Sequence, residues 1–199
     1  LMILSDEPCQ PFDKNRKGLN LGEAAGYFVL ESEASAKRRG AKALAVLSGY
    51  GNACDAYHQT ASSPNGEGAY LAMMQAINVS GYKPSKIDYI NAHGTGTQNN
   101  DMSESVALLR IFPDHLPPVS STKAMTGHTL AAAGGIEAVM SVLALQHDWV
   151  FPNKNFKDAI EETGIIPVTE LQINKHSKHI LSNSFGFGGN NSSLLISAC

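Results

Sequence analysis

The stretch that decides the fold is residues 119–145, which read VSSTKAMTGHTLAAAGGIEAVMSVLAL. It begins with a short apolar run near Val119 that is typical of a strand, passes through a polar loop, and continues after Gly127 as a long apolar helix. The run from Leu130 to Leu145 would span only ~24 Å as a helix, which is short of a hydrocarbon core of ~30 Å. Because it also carries Glu137 in its middle, we expect a buried helix of a globular core and no membrane span.

Outside this stretch, strand-like and helix-like runs alternate along the chain. The predicted helices cover residues 32–39, 67–80 and 101–112, and the predicted strands cover residues 27–30, 43–50, 87–92, 179–184 and 192–197. This alternation favours an α/β layered architecture that contains parallel sheet. No linker-like stretch divides the 199 residues, so we expect one domain over residues 1–199.

The composition excludes several classes of partner. Lys and Arg number 15 and Asp and Glu number 18, and the net charge of -3 gives no general attraction to nucleic acid or to an anionic membrane. A basic cluster at residues 37–39 is either a solvated helix face or a contact for an acidic protein. The cysteines Cys9, Cys54 and Cys199 are widely spaced, so we expect no disulfide framework, no metal site and a reducing cytoplasm.

The first candidate site motif is NAHGTGT at residues 91–97, where a predicted strand ends and a polar loop begins. A histidine in that place, His93, can lie at the carboxyl edge of the sheet, which is where ligands bind in open α/β folds. The glycines and the hydroxyls of Thr95 and Thr97 would let a polar ligand approach the backbone. On this motif alone, a histidine that only holds the loop together is an equally good interpretation.

The second motif is SSTKAMTGH at residues 120–128, directly before the apolar helix. It predicts that His128 lies in the first helical turn, where the partial positive charge of the helix end disfavours an extra proton on the imidazole. A neutral imidazole can donate a hydrogen bond to a developing oxyanion. Lys123 is either a third member of the site or a solvated lysine beside a turn, and the motif by itself leaves both open.

The third motif is NSFGFGGNN at residues 183–191, between the last two predicted strands. Its three glycines free the backbone to present N–H groups to an oxygen, and Phe185 and Phe187 can line an apolar channel. A glycine-rich hairpin with core aromatic residues explains the same pattern. The motif therefore indicates a site only in combination with the other two.

The three motifs together, in this order, resemble the C-terminal signature set of β-ketoacyl synthases in the thiolase-like, or condensing-enzyme, superfamily. The segments at residues 16–18, 21–26 and 55–58 are similar to that family as well, so the likeness covers essentially the whole chain. It is strongest to the synthase II type, which elongates acyl chains. The resemblance implies a thiolase-like layered fold, of which this chain is the C-terminal half, with a mixed sheet packed by helices.

The activity that the resemblance implies is that of a 3-oxoacyl-[acyl-carrier-protein] synthase, an acyltransferase of fatty acid or polyketide biosynthesis. In that family a cysteine holds the acyl group as a thioester, malonyl-carrier protein loses carbon dioxide, and the enolate attacks the thioester. Carried over by motif, His93 and His128 promote decarboxylation and stabilise the enolate. Lys123 orders the site and interacts with Glu137, a carboxylate that would be costly to bury without a partner.

The remaining roles that the resemblance implies concern the substrate arm and the scaffold. The residues expected to lie along the phosphopantetheine arm or the acyl group are Thr95, Thr97, Thr60, His58, Phe185 and Phe187. Of these, Phe187 gates the acyl pocket and contributes its N–H to the oxyanion hole. Asp101 and Glu104 match acidic positions of structural support. No cofactor or metal is implied beyond the phosphopantetheine of the acyl carrier protein.

The nucleophile is expected outside this chain. In the family it lies in the N-terminal half, at the start of a buried helix that lowers the thiol pKa, and none of the three cysteines has that context. The chain also begins without Met, so we expect the natural start to lie upstream. The expected partners are the missing N-terminal half, the acyl carrier protein and a second copy in a homodimer.

Two departures from the family pattern and two alternative functions stay open. Residues 98–100 read QNN where the family usually has a proline and a glycine, and Asn190 stands where the family usually has a threonine. These departures make substrate preference harder to predict. A chain-length factor, the non-catalytic partner subunit of some polyketide systems, keeps the fold but lacks the nucleophile. A degradative thiolase, ranked last, normally uses a second cysteine near its C-terminus in place of the phenylalanine-glycine turn.

Overall fold

The computed structural model describes residues 3–199. Its helices are α1 (Glu33–Arg38), α2 (Glu67–Ser80), α3 (Gln98–Ile111), α4 (Lys123–Thr126) and α5 (Ala133–His147). Its strands are β1 (Val46–Cys54), β2 (Tyr89–Asn91), β3 (Val119–Ser120), β4 (His179–Gly186) and β5 (Asn190–Ser197). The bounds of α2 are those predicted from the sequence, and α3 begins three residues before its predicted start because Thr97 caps it.

The strands form one mixed sheet in the order β1-β5-β4-β2-β3. β2 runs parallel to β3 and β4, whereas β5 is antiparallel to its two neighbours, β1 and β4. The predicted closing pair of strands is β4 and β5, joined by the short 3-10 turn Phe187–Gly189. The expected mixed sheet is therefore confirmed, and β2 and β3 end at the edge where the two histidine motifs begin.

Helices cover both faces of this sheet. Successive side chains of a strand point to opposite faces, and the two hydrophobic clusters follow this rule. Ile90 and Leu181 pack in the cluster formed with α2 and α3, whereas their chain neighbours Tyr89 and Ile180 pack in the cluster formed with α5. The chain therefore has the layered α/β architecture that the alternation of elements predicts.

Two glycines of β1 let α2 approach the sheet closely. A Cβ atom at Gly51 would lie 2.0 Å from the carbonyl oxygen of Ala72, and one at Gly49 would lie 2.0 Å from that of Ala76. Nonbonded atoms do not approach so closely in a packed protein interior. A larger residue at either position must therefore push α2 away from the sheet.

The predicted buried strand at residues 27–30 is wrong for this chain. The segment has no regular structure, and Tyr27 and Val29 are 89% and 87% exposed. Within the described part of the chain no strand pairs with this segment. An apolar run forms a buried strand only when a neighbour satisfies its backbone groups and covers its side chains.

The long apolar helix begins later than the sequence predicts. Leu130–Ala132 form a 3-10 turn in which Leu130 has a φ of 52°, and α5 starts after it. By length and composition Leu130–His147 is apolar enough to cross a membrane, but α5 itself is only ~22 Å long. Its residues Glu137 and Ala138 are buried on the side that packs on the sheet. We therefore interpret α5 as a core helix, as expected.

We expect Gly51→Ala to lower the free energy of unfolding by about 2 kcal/mol, because overpacking a close contact costs ~1–3 kcal/mol. Chemical denaturation, comparing midpoint and slope with those of the parent protein, measures this change. Gly186→Ala is the matched control, since a Cβ atom there would lie 3.8 Å from the carbonyl oxygen of Asn190, its nearest neighbour. Equal losses in both variants would contradict the packing argument.

Candidate active site

The two histidines predicted to act together lie side by side. The ring centroids of His93 and His128 are 5.3 Å apart, and the ring planes meet at 86°. Phe185 packs its ring 5.7 Å from that of His93. The convergence of the first two motifs on one cleft is confirmed, and the third motif adds an aromatic ring to it.

The loop that carries His93 is fixed by Glu104 of α3. The main-chain N–H groups of His93 and Gly94 donate to the two carboxylate oxygens of Glu104 over 2.9 and 2.8 Å. Asn183 of β4 donates its side-chain amide to the same carboxylate over 3.0 Å. One buried acid thus joins the first motif to the third. Burial raises the pKa of Glu104 to about 7, against the three hydrogen bonds that it accepts.

Asp101 holds the far end of the same loop. Its carboxylate accepts the N–H of Phe12 over 2.8 Å and that of Gly96 over 3.1 Å, and it lies 3.8 Å from Nε of Arg16. Burial raises the pKa of Asp101, while these hydrogen bonds and Arg16 oppose the shift. Hydrogen bonds to Glu104 and Asp101 of α3 therefore hold the loop segment 94–97 near both of its ends.

Lys123 is the charged centre of the site. It is 1% exposed, and its ammonium donates to Oε1 of Glu137 over 2.5 Å. The same ammonium donates to the main-chain oxygen of His93 over 2.5 Å and lies 3.1 Å from Nδ1 of that ring. The predicted pairing of Lys123 with a buried Glu137 is confirmed. Because the ammonium donates to Nδ1, the ring of His93 carries its proton on Nε2.

Both imidazoles are held neutral. Burial, followed by the charges of Lys123 and His128, lowers the pKa of His93 well below its usual value. Burial and Lys123 lower the pKa of His128 to about 4. Nδ1 of His128 accepts the N–H of Leu130 over 3.1 Å, so this ring also carries its proton on Nε2. The cleft therefore holds two neutral hydrogen-bond donors beside one buried cation.

The predicted placement of His128 in the first turn of a helix is wrong. It precedes the 3-10 turn, because its main chain pairs with the segment at residues 20–22: its N–H donates to the oxygen of Asn20 over 2.7 Å, and the N–H of Gly22 donates to its oxygen over 3.1 Å. A Cβ atom at Gly22 would lie 2.1 Å from the main-chain oxygen of Thr126. Sequence reasoning missed Asn20, because a main-chain contact leaves no signal in residue type.

A cavity of about 420 Å³ opens beside the two histidines. Its walls are the face of β1, β4 and β5 and the start of α5, and its mostly apolar lining also carries the hydroxyls of Ser182, Ser184 and Ser192. Phe185 lines the cavity, whereas Phe187 does not and is 52% exposed. Phe187 lies in the 3-10 turn after β4, next to the lining residue Gly186, and its place at the cleft stays a prediction.

The cavity is not lined by the four residues predicted to lie along the phosphopantetheine arm, Thr95, Thr97, Thr60 and His58. The hydroxyl oxygens of Thr95 and Thr97 are 2.9 Å apart, and Thr97 caps α3. His58 and Thr60 are exposed in a loop that contacts the glycine-rich turn, since the N–H of Gly188 donates to the oxygen of Gln59 over 2.8 Å. Their binding role stays a prediction.

None of the three cysteines has the surroundings of a reactive nucleophile. Cys9 is buried, and burial, reinforced by Asp101, raises its pKa to about 12, which disfavours the thiolate. Cys54 and Cys199 are exposed, and neither lines the cavity beside the histidines. Among residues 3–199, no group of three or more His, Cys, Asp or Glu side chains is placed to hold a metal ion.

The fold defines the class: the chain has the thiolase-like fold of solved ketosynthases. The solved ishigamide ketosynthase/chain length factor matches with a TM-score of 0.94 and 35% identity, covering 100% of this chain and 49% of that chain. A second match is a chain from a solved complex, described as a type II PKS acyl-carrier protein in complex with its ketosynthase bound to the hexaketide. Its TM-score is 0.91 and its identity 32%, covering 96% of this chain and 48% of that chain.

The sequence assigns the chain to one family within that class. Residues 44–157 match the family described as Beta-ketoacyl synthase, C-terminal domain, so the chain belongs to the β-ketoacyl synthase family. It is 44% identical to 3-oxoacyl-[acyl-carrier-protein] synthase 2 of Synechocystis, over 98% of this chain and 48% of that protein. The chain thus spans about half the length of the curated relative that it matches.

We expect Glu137→Gln to lower the free energy of unfolding by about 3 kcal/mol, because removing one member of a buried ion pair leaves an uncompensated charge. Thermal or chemical denaturation measures this loss. Glu67→Gln is the matched control: Glu67 pairs with Arg110 at the surface over 3.0 Å, and such pairs contribute less than ~1 kcal/mol. A loss at Glu137 no larger than at Glu67 would contradict the assigned burial of the pair.

We expect the imidazole of His128 to stay neutral on acidification until about pH 4, whereas a histidine of the unfolded chain takes up its proton near 6.5. Between these values the unfolded state binds the extra proton, so this group makes the folded state more stable as pH rises. Titration of the imidazole nitrogens by NMR measures the pKa directly. A His128 pKa of 6.5 or higher would contradict the proposed neutral donor.

Proposed function

We propose that this chain is the C-terminal half of a 3-oxoacyl-[acyl-carrier-protein] synthase. The proposed reaction is the decarboxylating condensation of malonyl-carrier protein with an enzyme-bound acyl thioester, in fatty acid or polyketide biosynthesis. The observation that carries the proposal is the pair of neutral imidazoles, His93 and His128, with their rings 5.3 Å apart and both Nε2–H groups free to donate. Lys123, which contacts His93, fixes the protonation state of that ring.

The chemistry requires donors that are strongest when negative charge develops on oxygen. Loss of carbon dioxide leaves the electron pair of the broken carbon–carbon bond on the enolate, and the Nε2–H groups of His93 and His128 donate to its oxygen. The enolate carbon then attacks the thioester carbonyl carbon, and the cysteine thiolate leaves. A preorganised donor of this kind contributes ~3–4 kcal/mol in a water-poor site, and neither histidine needs a metal for it.

Exposed apolar side chains support the missing N-terminal half as a partner. Tyr27 and Val29 are almost fully exposed, and Tyr50 of β1 and Leu130 are more than half exposed on the wall of the cavity. A large exposed apolar surface marks an interface. In this proposal the missing half covers that surface and brings its cysteine to the histidines. The matched relative is about twice as long as this chain, which leaves room for such a half.

The proposed substrates are carried by an acyl carrier protein, whose phosphopantetheine arm passes Thr95, Thr97, Thr60 and His58 on its way to the histidines. The arm belongs to the carrier, so the proposal includes no further cofactor. We also propose a homodimer and a cytoplasmic location. The three cysteines, none of them paired in the described chain, support a reducing compartment.

The alternative is a chain-length-factor-like partner subunit without condensing activity. The favouring observation is the match to a solved structure that contains both a ketosynthase and a chain length factor. The retained His93, His128 and Lys123 favour the catalytic role, because a purely structural subunit has no need of two neutral imidazoles held beside a buried ammonium. The upstream coding sequence distinguishes the two by the presence or absence of a cysteine before a helix.

We expect this chain alone to form no 3-oxoacyl product from acyl- and malonyl-carrier protein, because the covalent thioester that holds the acyl group beside the enolate is lost. Addition of the cysteine-bearing half should restore the product, which mass spectrometry of the carrier detects. In the restored enzyme, His93→Ala or His128→Ala should lower the rate by about 10²–10³. His115→Ala, an exposed histidine outside the cavity, is the matched control.

Two results would contradict the proposal. Product formed by the chain alone would mean that Cys9, Cys54 or Cys199 is a nucleophile. An assembled enzyme that contains the upstream cysteine but forms no product would favour the chain-length-factor alternative.

A further inference from the structure

The three residues after Thr97 depart from the family pattern. Hydrogen bonds made by this segment hold the loop in place. The amide of Gln98 donates to the main-chain oxygen of Arg16 over 2.6 Å, and the Arg16 guanidinium donates back to the oxygen of Gln98 over 2.8 Å. Arg16 also donates to the oxygen of Thr97 over 3.1 Å. Where the resemblance predicts a rigid proline, this chain has a reciprocal pair of hydrogen bonds.

Asn99 forms a second reciprocal pair of hydrogen bonds, with the backbone of Ser62. The N–H of Ser62 donates to Oδ1 of Asn99 over 2.7 Å, and Nδ2 of Asn99 donates to the main-chain oxygen of Ser62 over 3.1 Å. One amide side chain thus satisfies both backbone groups of one loop residue, as a paired strand would. One turn further along α3, the hydroxyl of Ser103 donates to the oxygen of Ser63 over 2.8 Å.

Ser62 belongs to a loop at residues 55–63, which we call the entrance loop. Its two ends meet, because the carboxylate of Asp55 accepts the N–H of Ser63 over 2.9 Å. The middle of the loop is held at Gln59 by the glycine-rich turn. His58 and Thr60 flank Gln59 and are exposed, so the position of both side chains depends on these few contacts.

We infer that Asn99 is a positioning residue for the carrier-borne substrate arm. It lies two residues after Thr97, the cap of α3, so its amide sets the distance between the pair Thr95 and Thr97 on one side and the entrance loop on the other. The inference rests on the proposed function, in which these residues line the path of the arm. The side-chain hydrogen bonds of Asn99 go to Ser62 and to none of His93, His128 or Lys123 in the described chain, so we expect its loss to act on binding and to leave the chemical step unchanged.

The experiment uses the enzyme assembled from both halves, with Asn99→Ala and Asn99→Asp. Removing two hydrogen bonds from the loop should raise KM for malonyl-carrier protein about tenfold with kcat unchanged. Asn99→Asp, which keeps the acceptor for Ser62 and loses the donor, should give a smaller rise. Hydrogen exchange of the peptide covering residues 57–66, followed by mass spectrometry, should become faster in Asn99→Ala.

Asn65→Ala is the matched control, because Asn65 is exposed and contacts Arg110 through its main-chain oxygen. It should change neither KM nor exchange. Unchanged exchange in Asn99→Ala, or faster exchange with unchanged KM, would overturn the inference, and so would a fall in kcat at constant KM. If the assembled parent enzyme forms no product, the proposed function fails, while the exchange measurement still reports whether Asn99 anchors the loop.

Discussion

The buried ammonium of Lys123 is the constraint on which the rest of the site depends. A lysine that is 1% exposed requires partners for its charge and its protons, and it finds them in Glu137, in the main-chain oxygen of His93 and in Nδ1 of the same ring. These contacts tie α4, α5 and the loop after β2 to one point. Burial and this same charge together lower the pKa of both histidines and so disfavour their protonation.

Two carboxylates approach this point from opposite faces of the sheet. Glu104 lies on α3 and holds the backbone around His93, whereas Glu137 lies on α5 and holds the ammonium that contacts its ring. The loop between them follows β2, a strand with parallel neighbours on both sides. The carboxyl ends of parallel strands are where α/β sheets gather loops, and here each helical layer supplies one acid to the gathered loop.

The sequence predicts the parts of this structure that follow from local patterns or from the three motifs. Helix α2, the closing strands and the pairing of Lys123 with Glu137 follow from periodicity and from the cost of a lone buried charge. The failures at residues 27–30 and at His128 share a different cause, because each depends on what lies across from it in space. The link from Glu104 to Asn183 and the backbone pairing of His128 with Asn20 are likewise long-range contacts that no local pattern encodes.

The proposed chemistry has two parts, oxyanion stabilisation and covalent catalysis, and they differ in whether contacts within this chain provide them. Contacts that orient His93 and disfavour its protonation are made within residues 3–199, so this chain itself orients the proposed oxyanion donor. In the proposed function the covalent part comes from outside this chain, because Cys9 is buried with a raised pKa and neither Cys54 nor Cys199 lines the cavity. The cavity wall includes the exposed side chains of Tyr50 on β1 and Leu130 before α5, so in the proposed assembly the half that supplies the nucleophile also covers this apolar surface. Under the proposed function, assembly of the two halves is therefore the step that completes the active site.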